Sequence, residues 1–303
     1  MSKIKKLIIN ADDLGFSPAV NSAILSGAVA GNITAASLMV NMPFAEEAVK
    51  NIHNKCNTLS MGLHFTLTSG QSVTEPQKIP FLVDSRGMFR LSFGKLLMLL
   101  RSKKREQLLQ QIRMEFSAQM ERMEYFATKY DLRFDHLDSH QHVHVLSGIF
   151  DKVQKESTSR KLLLRIPREH FGGFKRTVKR FHQWFPQGFM KRIVLNCCLQ
   201  SMKQKIGYFG ILESGKMDNI SLQEIILAME TGKCNFDNYE INIHPSDFSV
   251  SQNDNMLCCS PDDYRFHHSP CRMKEFHALQ DRKFQDMIKK FNIKLTDFSD
   301  TEI

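Results

Sequence analysis

Short apolar runs alternate with helical stretches along most of the 303-residue chain, and this alternation restricts its fold more than any other feature. Runs typical of buried strands lie at 6–10, 34–40, 59–65, 134–138, 162–166, 239–244 and 293–295. Helices are predicted between them at 18–30, 44–53, 105–128, 224–230 and 272–291. Strands that alternate with helices predict an α/β protein with a parallel sheet and crossover helices.

No linker rich in Pro, Gly or Ser and no internal repeat interrupts this pattern in the sequence. We therefore expect one domain over 1–303, with 170–212 as a basic-aromatic helical insertion or crossover segment. The periodicity leaves open whether the sheet closes into a barrel or stays open and doubly wound. Because the sequence lacks a G-x-G-x-x-G or P-loop motif, the usual nucleotide-binding sheets are disfavoured.

Polar side chains follow four of the predicted strands at the point where each strand ends. They are Asp12-Asp13, His64, the run of alternating polar residues at 136–144, and His244. The carboxyl ends of parallel strands converge on the active site in α/β folds. Four strands that each deliver an Asp or a His to this edge therefore predict a catalytic site.

The two adjacent aspartates suggest a division of labour. Neighbours on an extended chain point in opposite directions, so one carboxylate would ligate a metal while the other acts as a base or orients a ligand. Helix capping is the alternative interpretation, although Ser17-Pro18 already offers a cap.

The spacing of His140, His142 and His144 places all three on one face if the strand continues through them. Imidazole nitrogens suit Zn, Fe, Ni and Mn, whereas a hydrogen-bonded network without metal is the alternative. His64 is either a further ligand or a core histidine, and His244 is either a general acid or a third ligand.

Two histidines and one carboxylate would leave metal positions open for water and substrate. A second carboxylate would then take the proton of the water, and a histidine would protonate the leaving group. This constellation predicts metal-assisted hydrolysis of an amide or ester. A phosphoesterase or an Fe(II) oxygenase could use the same ligands, so ligand count alone leaves the reaction open.

Five ordered blocks resemble the YdjC-like carbohydrate deacetylases, a family that includes chitooligosaccharide deacetylases and a branch associated with hopanoid biosynthesis. They read NADDLG at 10–15, TAASLMVNMP at 34–43, GLHFTLTSG at 62–70, HLDSHQHVH at 136–144 and EINIHP at 240–245. Weaker matches follow at 208–215 and at Arg272, Glu275 and Leu279. The resemblance implies an incomplete or distorted (β/α) TIM-like barrel of the glycoside hydrolase/deacetylase type.

The resemblance also implies one divalent metal ion held by Asp13, His64 and His140, with Mg, Zn and Mn as candidates. It implies that Asp12 is the general base and that His244 is the general acid.

Four further roles follow from the resemblance. His142, His144 and Arg165 are expected to bind substrate, and Asp138 is expected to orient a metal ligand. Leu14 and Ser246 depart from the usual residues of the family, and neither departure removes a chemical group.

Much of the positive charge of the chain lies in one segment without acidic residues. The formal net charge is +9, and no Asp or Glu lies between His170 and Leu212. This segment is either a helix with a solvated basic face or a surface for anionic lipid or a lipid-linked glycan. Proteins that bind nucleic acid also carry basic segments, but this sequence contains no recognised nucleic-acid-binding motif. We therefore do not expect nucleic acid as a partner.

Seven cysteines without a C-x-x-C pair favour a reducing compartment. No apolar run has the length of a signal peptide core or a membrane span, so we expect a soluble, cytoplasmic protein. Homo-oligomerisation stays open. The predicted activity is metal-dependent removal of acetyl from a chitooligosaccharide-like or lipid-linked N-acetylhexosamine. The non-enzymatic alternative is a protein that binds anionic membranes or glycans.

Overall fold

A computed structural model describes residues 4–169, 195, 198–199, 202–231, 236–250 and 261–301. Within these residues eight parallel strands form one sheet. They are β1 (Lys6–Leu14), β2 (Ala35–Leu38), β3 (Ser60–Phe65), β4 (Phe134–Ser139), β5 (Leu163–Leu164), β6 (Ile206–Phe209), β7 (Asn238–Ile243) and β8 (Lys294–Thr296). The order across the sheet is β5-β4-β3-β2-β1-β7-β6, and β8 pairs with the first residues of β1.

Helices connect the strands. They are α1 (Pro18–Val29), α2 (Ala45–Cys56), α3 (Phe93–Leu99), α4 (Arg105–Lys129), α5 (Phe150–Ser159), α6 (Asn219–Glu230), α7 (Pro261–His267), α8 (Cys271–Gln280) and α9 (Arg282–Lys290). In the part of the chain that the structure describes, three short 3₁₀ turns lie at Pro76–Lys78, His140–Val145 and Phe298–Asp300. Among the described residues, no helix has the length and apolar character that a membrane crossing requires.

Local signals account for several helix boundaries. The Ser17 side chain accepts a hydrogen bond from the Val20 amide, and proline occupies the first turn of α1, as the sequence predicts. The predicted helix over 272–291 is wrong in one respect, because the backbone of Asp281 is extended and its side chain caps a new helix. The chain therefore forms α8 and α9 in place of one helix.

Several elements have no counterpart in the predicted set: α3, α5, α7 and β6. Strand β6 has only four residues, and α5 has only two apolar residues, Phe150 and Val153, among Ser, Thr and charged residues, so each offers a short apolar signal. Strand β6 lies inside 170–212, most of which is outside the described residues.

The sheet curls until its two ends approach each other. Strands β5 and β6 are its edges, and an isolated parallel bridge joins Glu169, just beyond β5, to Tyr208 in β6. The Glu169 carboxylate strengthens this approach by accepting hydrogen bonds from the amides of Gly210 (2.9 Å) and Leu212 (3.0 Å). This architecture confirms the predicted α/β fold, an incomplete (β/α) TIM-like barrel.

Alternation along the strands separates an apolar layer from a polar interior. In β1, Leu7 and Ile9 belong to the main hydrophobic core, whereas Asn10 donates a hydrogen bond to Ser37 on the other face. On that same face, Gly62 lies beside His136, where an added Cβ would be 2.2 Å from the imidazole. The interior of the curled sheet is therefore lined with polar groups that position the candidate site.

Candidate active site

The backbone of Asp13 brings both aspartates to the same side. Asp13 has a left-handed φ of 69°, and the register between β1 and β2 shifts between Ala11 and Leu14. Such an irregularity breaks the alternation that would send adjacent side chains to opposite faces. Asp12 and Asp13 consequently both face the end of the curled sheet.

Three predicted metal ligands converge there. Asp13 Oδ1 lies 3.2 Å from His140 Nδ1 and 3.6 Å from His64 Nε2, and all three residues are buried. One ligand atom from each residue falls within 4.8 Å of the others. Two imidazole nitrogens and one carboxylate at this separation match the donor set of a divalent transition metal.

Asp138 stands directly behind His64. Its Oδ1 atom lies 2.6 Å from His64 Nδ1, and its Oδ2 atom accepts a 2.6 Å hydrogen bond from the Ser37 hydroxyl. Burial raises the pKa of Asp138, but Arg165 and His64 together hold it well below its usual range. The carboxylate therefore fixes the tautomer that leaves the His64 Nε2 lone pair directed toward Asp13.

Arg165 is buried among three carboxylates, in contrast to the predicted substrate contact. Its guanidinium donates two 3.0 Å hydrogen bonds to Asp12 and lies 2.8 Å from Asp138 and 2.7 Å from Glu240. Burial lowers the pKa of Arg165, but the three carboxylates raise it well above its usual value. Burial also raises the pKa of Glu240 to about 7. Arg165 therefore holds Asp12 in a fixed orientation.

His244 faces Asp12 from the end of β7. Its Nε2 atom is 3.9 Å from Asp12 Oδ2, which is itself 3.8 Å from His64 Nε2. Burial lowers the pKa of His244 to about 3, so the imidazole is neutral at pH 7. Asp12 thus lies between the candidate metal ligands and the candidate acid.

Helix α8 fixes the backbone of His244 from two sides. Arg272 Nε donates a 2.9 Å hydrogen bond to the His244 carbonyl, and Glu275 accepts one from its amide. A second guanidinium nitrogen of Arg272 lies 3.1 Å from Asp13 Oδ2. Burial raises the pKa of Glu275 to about 8. The sequence predicts this helix within 272–291, but only the weak family matches at Arg272 and Glu275 indicate that it contributes to the site.

His267 is a site residue that the sequence analysis missed. Its Nδ1 atom accepts a hydrogen bond from Arg272 and lies 3.9 Å from Asp13 Oδ2, and its ring stacks on Phe16 at 3.4 Å. Burial opposes the ionisation of Asp13, but His267, His140 and Arg272 hold its pKa well below the usual range. Nothing near His267 in the sequence marks it, because it comes from α7 and follows no strand.

The prediction that His140, His142 and His144 share one face of a strand is wrong. These residues lie in the 3₁₀ turn, where Gln141 and His142 have left-handed φ values of 54° and 58°. The turn directs His140 toward Asp13 and His142 toward Tyr208. The rings of His142 and Tyr208 are nearly perpendicular, and their centroids are 5.9 Å apart.

His144 is enclosed within the protein, in place of the predicted substrate contact. Its Nδ1 atom bonds the Ser139 hydroxyl, and its Nε2 atom lies 2.9 Å from the Arg165 carbonyl. Burial lowers the pKa of His144 to about 4. His144 thus connects the end of β4 to the residue after β5, and this contact orients the segment that carries Arg165.

Known proteins similar to this chain are carbohydrate deacetylases. A family model described as YdjC-like protein matches residues 6–290. The chain is 26% identical to a carbohydrate deacetylase of Clostridium beijerinckii over 97% of its length and 99% of that protein. It is 31% identical to a chitooligosaccharide deacetylase of Yersinia enterocolitica, over 61% of this chain and 69% of that protein. A carbohydrate deacetylase of Thermoanaerobacter pseudethanolicus is 33% identical over 49% of the chain, which spans 55% of that relative.

A solved structure has a similar fold. It is the crystal structure of an Enterococcus faecalis protein described as a cellobiose-phosphate cleavage protein, with a TM-score of 0.66. The two sequences are 22% identical, and the match covers 98% of each chain. The likeness supports the barrel architecture, while the hopanoid-associated branch stays a prediction.

Proposed function

The chain belongs to the YdjC-like protein family, and from this premise we propose that it is a metal-dependent deacetylase of N-acetylated sugars. The reaction is hydrolysis of an acetamido group, in which the C–N bond breaks to give acetate and a free amine. One observation carries the proposal: the Asp13, His64 and His140 donor set lies beside an Asp12 carboxylate that is fixed by Arg165.

Asp13, His64 and His140 would hold the metal. The donor atoms converge. His64 Nδ1 is hydrogen-bonded to Asp138, so Nε2 is the nitrogen available to an ion. A divalent ion in this position supplies Lewis acidity, which lowers the pKa of water and polarises a carbonyl oxygen. Mg, Zn and Mn stay the candidates, because a mixed imidazole and carboxylate set accepts several ions.

Asp12 is the general base of this proposal. Its carboxylate takes a proton from the attacking water, whose oxygen forms the new bond to the acetyl carbon. The bidentate contact with Arg165 orients the carboxylate for this step. Glu240 and Asp138 share the same guanidinium, so Arg165 is a positioning residue for Asp12.

His244 is the general acid. Because the imidazole is neutral in the resting site, it needs a proton before it can protonate the leaving amine. Asp12 is 3.9 Å away and holds the proton of the water at that stage of the reaction. One proton can therefore pass from the water to the amine nitrogen by way of Asp12 and His244, and no external acid is needed.

The wider predictions are part of the same proposal. We expect a chitooligosaccharide-like or lipid-linked N-acetylhexosamine as substrate, with His142 at the substrate side of the site. Contact with an anionic membrane through 170–212, homo-oligomerisation and a cytoplasmic location stay predictions. Because both ring nitrogens of His144 and the guanidinium of Arg165 are engaged inside the protein, we leave these two residues out of the substrate contacts.

Acetate release tests the proposal directly. The protein is stripped with a chelator, supplied with one divalent metal at a time and given N-acetylglucosamine, short chitin oligomers or a lipid-linked N-acetylglucosamine. We expect acetate only when metal is present. Phosphate release from phosphoesters or oxygen uptake, with no acetate from any sugar, would refute the deacetylase assignment in favour of a different reaction on the same ligands.

A further inference from the structure

A cavity lies at the end of the curled sheet opposite the Asp/His cluster. This cavity has a volume of about 460 Å³ and lies where β5 and β6 approach each other. Its lining includes the first residues of three strands, Leu163, Ile206 and Asn238. None of the metal-ligand candidates, Asp12 or His244 lines it. Cavities of this volume are typical of small-molecule sites.

Part of the cavity lining is aliphatic. Leu163 of β5 and Ile206 of β6 line it, and each is only half-buried. Both pack against one small apolar cluster at the gap between β5 and β6, which are the edges of the sheet. The incomplete barrel thus leaves an apolar surface that an aliphatic group of a ligand would cover.

Three lysines lie among the polar residues of the lining, and most of the other polar residues are neutral. Lys161, Lys203 and Lys205 are exposed residues of the lining. Over the ranges that the structure describes, none of the three lysines forms an ion pair, whereas several other lysines of the chain do. Arg165 and Glu240 also line the cavity, but their charges are already engaged with each other. Three ammonium groups next to an aliphatic wall attract an anion that carries a hydrocarbon part.

We propose that this cavity binds a single-chain anionic amphiphile, with a phosphate-like head group on the lysines and an aliphatic chain against Leu163 and Ile206. The site lies on the far side of Arg165 from Asp12. Binding here does not require the deacetylase reaction, so this inference and the proposed function are tested separately.

The test uses octyl phosphate below its micelle concentration, titrated calorimetrically into the full-length protein. We expect saturable binding of one molecule per chain that weakens as salt is raised. Inorganic phosphate and uncharged octyl glucoside should bind at least about tenfold more weakly, because each has only one of the two recognised parts.

A charge-reversal pair locates the site. The double variant Lys203→Glu/Lys205→Glu should weaken octyl phosphate binding by about tenfold or more. The matched control, Lys50→Glu/Lys55→Glu, changes the net charge equally at two exposed positions of α2 that do not line the cavity. It should bind like the parent protein. The proposal is overturned by absence of saturable binding, by equal affinity for octyl glucoside or inorganic phosphate, or by equal effects of the two double variants.

Discussion

Replacement of Asp138 by asparagine should loosen the metal site without removing any ligand. Asp138 is not one of the three proposed ligands, Asp13, His64 and His140, although it forms a second close group with Asp12 and His64. Its carboxylate lies 2.6 Å from His64 Nδ1. Asparagine has the same shape and can still accept that hydrogen bond through its amide oxygen. The substitution therefore removes the negative charge behind His64 and leaves the ring close to its place.

The size of the effect follows from the kind of contact that is lost. A hydrogen bond to a charged group is worth about 1.5–3 kcal/mol and one between neutral groups about 0.5–1.5 kcal/mol, so loss of the charge alone costs about 1–1.5 kcal/mol. Because about 1.4 kcal/mol corresponds to a factor of ten in a binding constant, metal affinity should fall by about tenfold. This value is at the lower end of the usual consequence of mutating a carboxylate that supports a metal-binding histidine.

Competition with a chromophoric chelator gives the metal affinity of each variant. Asp135→Asn is a matched control, because Asp135 forms a similar pair with His136 Nδ1 at 2.8 Å on the same strand, outside the ligand cluster. We expect the control to bind metal as the parent protein does. If a folded Asp138→Asn protein binds metal within about twofold of the parent, the argument that Asp138 sets the His64 ligand is refuted.

Asp12→Asn should still bind metal, whereas acetate release should fall by at least about 100-fold; unchanged turnover would exclude Asp12 as the base. Arg165→Met leaves three buried carboxylates without their shared cation, so urea denaturation at pH 7 should show that the unfolding free energy falls by about 3–5 kcal/mol. A decrease of less than about 1 kcal/mol would contradict the importance of this ion-pair geometry. Because burial lowers the pKa of His144 to about 4, the unfolded chain binds a proton first as pH falls below about 6.5. The His144 imidazole alone should therefore lower the unfolding free energy by about 3 kcal/mol between pH 6.5 and 4, in addition to the effect of His244. Denaturation measured at each pH should show a smaller slope for His144→Gln than for the parent protein. Gly62→Ala places a methyl group 2.2 Å from the His136 ring and should lower the unfolding free energy by about 1–3 kcal/mol. An unchanged unfolding free energy would show that the ring moves aside and would contradict the predicted clash.

The sequence alone indicates the order of most strands and helices. Apolar periodicity and caps such as Ser17 are local properties, so β1, α1, β3, α4, β4 and β7 can be predicted within a few residues. The sequence also indicates which strand ends carry candidate catalytic residues, because Asp12, His64 and His244 each follow an apolar run. Very short elements such as β6, and helices with few apolar residues such as α5, could not be found in this way.

Only the tertiary structure decides which of these side chains reach the site and which charged groups contact them. His140, His142 and His144 separate because two left-handed residues turn the chain, and strand periodicity gives no warning of such a turn. Arg165 and Arg272 lie more than a hundred residues from Asp12 and Asp13, yet each contacts one of the two carboxylates. Local propensity depends on neighbours along the chain, whereas the position of a buried charge depends on where the fold places its counter-charge.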